Sequence, residues 1–98
     1  MIEPALAAGA KGAVSATSNI APELAVTIYE AHIRGDHVAA RAAQERFSAI
    51  RAAVVGTAPG GIKFALKAAG FDCGPSRAPI GPITPQQEES LCAAVKVN

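Results

Sequence analysis

Gly9-Ala10-Lys11-Gly12-Ala13-Val14-Ser15-Ala16-Thr17-Ser18-Asn19 is the stretch on which the fold of this chain turns. Residues 13–17 are small or β-branched and lie between Gly12 and the turn formers Ser18 and Asn19, the pattern of a short strand. It is the one clear strand signal in the chain, and it has no partner. Upstream, residues 4–10 suit about one and a half turns of helix, with Pro4 early in it and Gly9 as the stop.

Beyond Asn19 the apolar spacing becomes helical. Leu24, Ile28 and Ala31 fall at steps of three and four, as do Val26, Tyr29 and Ile33 one row over. Pro22 and Glu23 suit the first turn of this helix and Gly35 the position just past its end. Asp36 is a good N-cap for a second helix reaching about Val55, with Ala43, Phe47, Ile50 and Val54 inward. Arg41, Glu45 and Arg46 occupy its wet face, where Arg41 and Glu45 can pair. A Gly and Pro loop over residues 56–61 leads to a third helix over residues 62–69, with Ile62 and Leu66 inward and Gly70 as its stop. Residues 71–83 show no period and carry Pro75, Pro79 and Pro82, which predicts an extended, semi-rigid strap with Ile80 and Ile83 packed beneath it. Thr84-Pro85-Gln86-Gln87 then supplies an N-cap, a proline at N1 and the Gln of a capping box, opening a last helix with Leu91 and Val95 inward. The expected fold is mainly α, with four main helices and one strand.

Composition narrows the function classes. At 98 residues and a net charge of +1, the chain is one domain at most, with no basic field for nucleic acid. Half the residues are hydrophobic but only 4% are aromatic, so the core has few large side chains to draw on. No run approaches the roughly 18 apolar residues of a membrane span, and Glu3 and Pro4 stand where a signal peptide carries basic residues. A cytoplasmic chain is expected, with no membrane partner. Cys73 and Cys92 read as reduced thiols, since they form neither a metal spacing nor a disulfide framework.

Few constellations suggest chemistry. His32 and His37 are about 140° apart round an ideal helix, so they are not an i, i+4 metal pair. Ser15, His32 and Asp36 supply the residue types of a triad, but no Gly-x-Ser-x-Gly elbow frames the serine. Residues 56–61 lack the Lys and Ser/Thr ending of a phosphate loop. A Schiff-base lysine needs a desolvated pocket, whereas Lys63 and Lys67 form one solvated helix edge; Lys11 and Lys96 are the others.

The order of these signals resembles the dihydrodipicolinate synthase and N-acetylneuraminate lyase family. Its last-strand signature, G-x-x-G followed by two hydrophobic residues, S-x-x-x-N and a hydrophobic residue, is matched by Gly9, Gly12, Ala13, Val14, Ser15, Asn19 and Ile20. The Gly35-Asp36 break, Ala40-Arg41, Ile62-Lys63-Phe64-Ala65-Leu66 and Arg77-Ala-Pro-Ile-Gly-Pro-Ile-Thr follow in the family's order. Ala10-Lys11 and Gly60-Gly61 depart from it.

The resemblance implies a (β/α)8 barrel with a C-terminal helical extension, cleaving or condensing 2-oxo acids through an imine between pyruvate and a lysine. Such a barrel takes about 250 residues, so this chain is expected to hold only the last strand and helix, about residues 12–35, and the extension, residues 36–98, in a single partial domain. None of Lys11, Lys63, Lys67 or Tyr29 matches the family's imine lysine or its proton-relaying tyrosine, and the Thr-Thr pair that binds the pyruvyl carboxylate is absent. The one site residue that carries over is Val14, whose main chain would face pyruvate. The resemblance further implies no metal or organic cofactor, pyruvate or another 2-oxo acid as the complete enzyme's substrate, and a homo-oligomer. The expectation is a C-terminal part of a pyruvate-dependent lyase, inactive alone. The alternative is a stand-alone helical association module.

Overall fold

The computed structural model of the chain describes residues 1–96; the side chain of Lys96 and residues 97–98 lie outside the described set. The elements are α1 (Ile2–Ala7), a 3₁₀ turn (Ala16–Asn19), α2 (Pro22–Ile33), α3 (His37–Val54), α4 (Gly60–Ala68) and α5 (Pro85–Lys96). The chain is mainly helical, as its periodicity implies. It divides into two compact units, Met1–Ala49 and Ile50–Asn98, with the division inside α3.

Helix ends are where local sequence acts most directly. Gly35 takes φ +79°, a conformation that side chains with a Cβ avoid, and this lets the chain turn back on the last turn of α2. Its N–H then reaches the His32 carbonyl at 3.0 Å and that of Asp36 reaches Ala31 at 2.9 Å, the paired bonds of a Schellman stop. Gly9 and Gly70 end α1 and α4 with the same two bonds. Asp36 caps α3 by accepting the Ala39 N–H at 3.1 Å. Thr84 and Gln87 close a reciprocal capping box on α5, at 3.2 Å from the Gln87 N–H to the Thr84 hydroxyl and 2.8 Å from the Thr84 N–H to the Gln87 amide oxygen.

In the first unit α1 packs on α2, and α2 on the 3₁₀ turn. Ile2, Leu6, Leu24, Ile28 and Ala31 are buried there, together with the hydroxyl-bearing Thr17. Helix α1 has no side-chain cap of its own. Gln44 provides one from α3: its buried amide oxygen accepts the N–H groups of Ile2 at 2.8 Å and Glu3 at 2.9 Å, while its amide nitrogen donates to Ser48. Two of the four orphan donors of a helix N-terminus are thus satisfied from more than forty residues away.

Residues 13–17 do not form the expected strand; among the described residues there is no strand at all. Residues 11–15 run without regular structure and Ala16 opens the 3₁₀ turn. A strand is held by hydrogen bonds to a neighbour, and among the described residues no second segment bonds to this one to supply them.

In the second unit α4 packs on α5. The expected inward row of α4, Ile62 and Leu66, is only half-buried; Gly61 and Ala65 are the buried positions. A Cβ on Gly61 would collide with the Thr57 hydroxyl oxygen and come within 3.2 Å of Leu91 Cδ1. Helix α4 turns its smallest residues toward Leu91 of α5, and its larger side chains stand on the flanks. Helix α4 also starts earlier than Ile62, because Gly61 N–H bonds Thr57 C=O at 2.9 Å and so turns the glycines into its first turn. Ile50, Val54 and Leu91 are buried as expected, and Val95 is half-buried. In the strap, Ile83 is half-buried but Ile80 is exposed, contrary to the expectation that both pack. Arg41 and Glu45 stand exposed on α3, and no ion pair joins them among the described residues.

Candidate functional site

The stretch from Gly9 to Asn19 is a bend between two helices, and its first glycine, its serine and its asparagine each have a local task. Gly9 stops α1 at φ +104°. The chain then runs without regular structure to Ser15, itself extended at φ −147° and ψ 129°. The Ser15 carbonyl accepts both the Ser18 N–H, at 3.3 Å, and the Ser18 hydroxyl. The Asn19 amide donates to the Ala16 carbonyl at 3.0 Å. Thr17, buried below them, accepts the N–H groups of Ile20 and Ala21 at 3.0 and 3.1 Å through its carbonyl. These bonds swing the chain from extended into helical conformation just ahead of Pro22, which opens α2. The Ser-x-x-x-Asn spacing is therefore the spacing of a turn, with Ser18 and Asn19 tying back to residues three earlier.

Val14, the one site residue expected from the sequence, lies in this stretch and is 106% exposed. Its N–H and C=O make no hydrogen bond among the described residues, nor do those of Lys11, Gly12 and Ala13. Nothing of the described chain packs on it. Its main chain is free to meet a ligand or a neighbouring strand, and no wall of a pocket is built beside it.

The lysines are placed as a solvated edge would have them. Lys63 Nζ donates to the Pro75 carbonyl at 3.1 Å, tying the strap to α4. Lys67, its side chain 68% exposed, stands 3.9 Å from the Asp72 carboxylate. Both line a cleft of about 400 Å³ with Ser76, Ile83 and Glu88, in which charges of both signs face an open space. Lys11 is exposed. None of these three amines is enclosed in the dry, apolar surroundings that make a lysine nucleophilic at neutral pH.

His32 and His37 meet edge to face with ring centroids 5.9 Å apart. The His32 Nδ1 atom is buried without a hydrogen-bond partner, and His37 is exposed. Among the described residues no group of three or more His, Cys, Asp or Glu side chains is placed to hold a metal ion. Cys73 is exposed and Cys92 half-buried, both free thiols. The Asp36 carboxylate is engaged by the α3 cap and by Arg34 at 3.8 Å, so it does not serve His32. Sequence reasoning passed over Gln44, whose polar side chain on a helix with a wet face gives no local sign that it is buried.

Comparison with known proteins places this arrangement. An uncharacterized DapA-like lyase of Halobacterium salinarum is 46% identical over 81 residues, which are 82% of this chain and 27% of that protein. The 4-hydroxy-tetrahydrodipicolinate synthase of Rhizobium meliloti is 35% identical over 92 residues, 93% of this chain and 32% of the synthase. Among solved structures, Proteus mirabilis N-acetylneuraminate lyase superposes with a TM-score of 0.80 at 31% identity, covering 95% of this chain and 32% of that one. The chain thus spans about a third of the length of the relatives it matches. The model of the Dihydrodipicolinate synthetase family matches residues 1–98 from end to end, and the chain belongs to that family.

Proposed function

We propose that these residues are the C-terminal part of a pyruvate-dependent aldolase-type lyase, comprising the last strand and helix of a (β/α)8 barrel, about residues 12–35, and the helical extension that follows. The observation that carries this reading is the family match over residues 1–98 with coverage of only about a third of each relative, the Gly9 to Asn19 signature included. In the complete enzyme a lysine outside these residues condenses with the carbonyl of pyruvate or another 2-oxo acid, releasing water. The enamine formed by proton loss adds to an aldehyde, and the reverse sequence cleaves the product. Val14 contributes its main chain beside the bound 2-oxo acid. That role is supported by its free N–H and C=O and by its place at the end of an unpaired segment, where barrel enzymes build their sites. The complete enzyme works in the cytoplasm as a homo-oligomer.

Alone, residues 1–98 do not catalyse, since none of their lysines occupies the family's imine position. Borohydride reduction in the presence of pyruvate tests both halves of the reading by intact mass. The isolated chain is expected to remain unmodified; a stoichiometric pyruvate adduct on Lys11, Lys63, Lys67 or Lys96 overturns its silence. A chimera in which this chain replaces the matched region of the Rhizobium meliloti synthase is expected to trap one pyruvate per chain. A folded chimera that traps none overturns the assignment to a pyruvate-dependent enzyme.

A further inference from the structure

Four charged side chains line the cleft of the second unit, and two of them lack a charged partner. Helix α4 contributes Lys63 and Lys67, the strap contributes Asp72, and α5 contributes Glu88 from its first turn. Lys67 and Asp72 stand 3.9 Å apart and neutralise each other. No ion pair joins Lys63 or Glu88 to anything among the described residues, although both are half-buried. The Lys63 amine has the Pro75 carbonyl at 3.1 Å, which takes one of the three donors of an ammonium and leaves two. The Glu88 carboxylate accepts no hydrogen bond from any described residue. A charge drawn part-way out of water is costly until a counter-charge or a donor meets it. Phe64, Ile83 and Ile80 line the same space with apolar surface, and this includes the Ile80 side chain that the strap leaves exposed.

We propose that this cleft binds a free α-amino acid with an apolar side chain, its carboxylate on Lys63, its ammonium on Glu88 and its side chain against Phe64, Ile80 and Ile83. An unpaired cation and an unpaired anion facing one space are the complement of a molecule that carries both charges. Two separate ions would each form only a weak pair there. Joined in one molecule, the second contact forms at the effective concentration that the first one sets. An α-amino acid holds ammonium, carboxylate and side chain on a single carbon, which matches a cleft offering one partner for each. The volume of about 400 Å³ is of the size that small-molecule sites have. All of these residues belong to the second unit, so the site does not depend on the enzymatic assignment.

The test titrates the full 98-residue chain with L-leucine and follows its amide chemical shifts. Saturable shifts are expected at Lys63, Ile80 and Glu88, with a dissociation constant of about 1 mM or tighter. Two analogues each remove one charge: 4-methylpentanoate lacks the ammonium and 3-methylbutylamine lacks the carboxylate. Both are expected to bind about tenfold more weakly or worse. Glu88→Gln should cancel the advantage of L-leucine over 4-methylpentanoate while leaving 4-methylpentanoate itself bound as before. Lys63→Met should in the same way cancel the advantage over 3-methylbutylamine. Because Lys63 also ties the strap, Glu88→Gln, which touches no tie, carries the decision. Glu89→Gln, at the exposed neighbouring position, is expected to change nothing. Failure of the parent chain to bind L-leucine overturns the proposal, as does L-leucine binding no tighter than its two analogues. Binding that is indifferent to Glu88→Gln overturns it too.

Discussion

Two segments that lie outside every helix behave in opposite ways. Residues 71–83 are rich in proline and glycine and belong to no regular element, yet they are tied at several points. The Phe71 N–H bonds the Leu66 carbonyl at 2.8 Å, Gly74 N–H bonds the Asp72 carboxylate at 2.9 Å, Lys63 holds the Pro75 carbonyl, and Ile83 reaches to within 3.2 Å of where a Cβ on Gly60 would stand. Residues 11–14, which lead into and overlap the 13–17 stretch that makes the better strand on paper, are tied to nothing among the described residues. Chain outside a helix is a structure only when its main-chain groups find partners. The strap meets that condition locally through turns and one lysine, whereas residues 11–14 have no such ties among the described residues.

The largest effect expected from this contrast is between Phe47→Ala and Val14→Ala. Phe47 is almost wholly buried in α3, and truncating such a side chain costs about 3–5 kcal/mol, close to the entire stability of many small domains. Val14→Ala removes no contact, so its urea midpoint should match that of the parent chain. A greater loss for Val14→Ala would mean that this segment is part of the core, and the contrast would collapse.

Gly61→Ala should come next, at about 1–3 kcal/mol, because its methyl group would run into the Thr57 side chain and crowd Leu91 of α5. Adding Thr57→Ala makes room at the nearer contact and should recover part of the loss. A Gly61→Ala chain as stable as the parent in urea would show that the helices can separate freely, and that small residues do not set their distance.

Replacing Gln44 by Leu keeps the volume but strands the Ile2 and Glu3 N–H groups at the start of α1. The expected cost is about 0.5–2 kcal/mol, the range of a lost helix cap. Amide exchange at Ile2 and Glu3 should accelerate more than at α5; equal acceleration everywhere would argue that the cap is incidental to α1.

The smallest effect falls on the strap. Lys63→Met deletes its bond to the Pro75 carbonyl, an exposed contact worth about 0.5–1.5 kcal/mol. Exchange at Gly74 and Ser76 should rise with little change in the urea midpoint. If the strap stayed as protected as before, turns alone would hold it, sharpening the difference from residues 11–14.

The sequence alone placed the helix ends closely. Gly9, Gly35 and Gly70 stop their helices, Asp36 starts α3, and Thr84 with Gln87 starts α5, because each of these interactions closes within about five residues of chain and needs nothing else. The family signature was legible for the same reason, its serine and asparagine positions being those of a turn that the chain makes by itself. Only the tertiary structure decided three matters: that Gly61 and Ala65 rather than Ile62 and Leu66 face inward, that Gln44 is buried to cap α1, and that residues 13–17 form no ladder. In each case the outcome depends on a group far away in sequence. The packing distance between two helices, a helix end more than forty residues off and a strand's neighbours leave no periodic mark on the residues that answer to them.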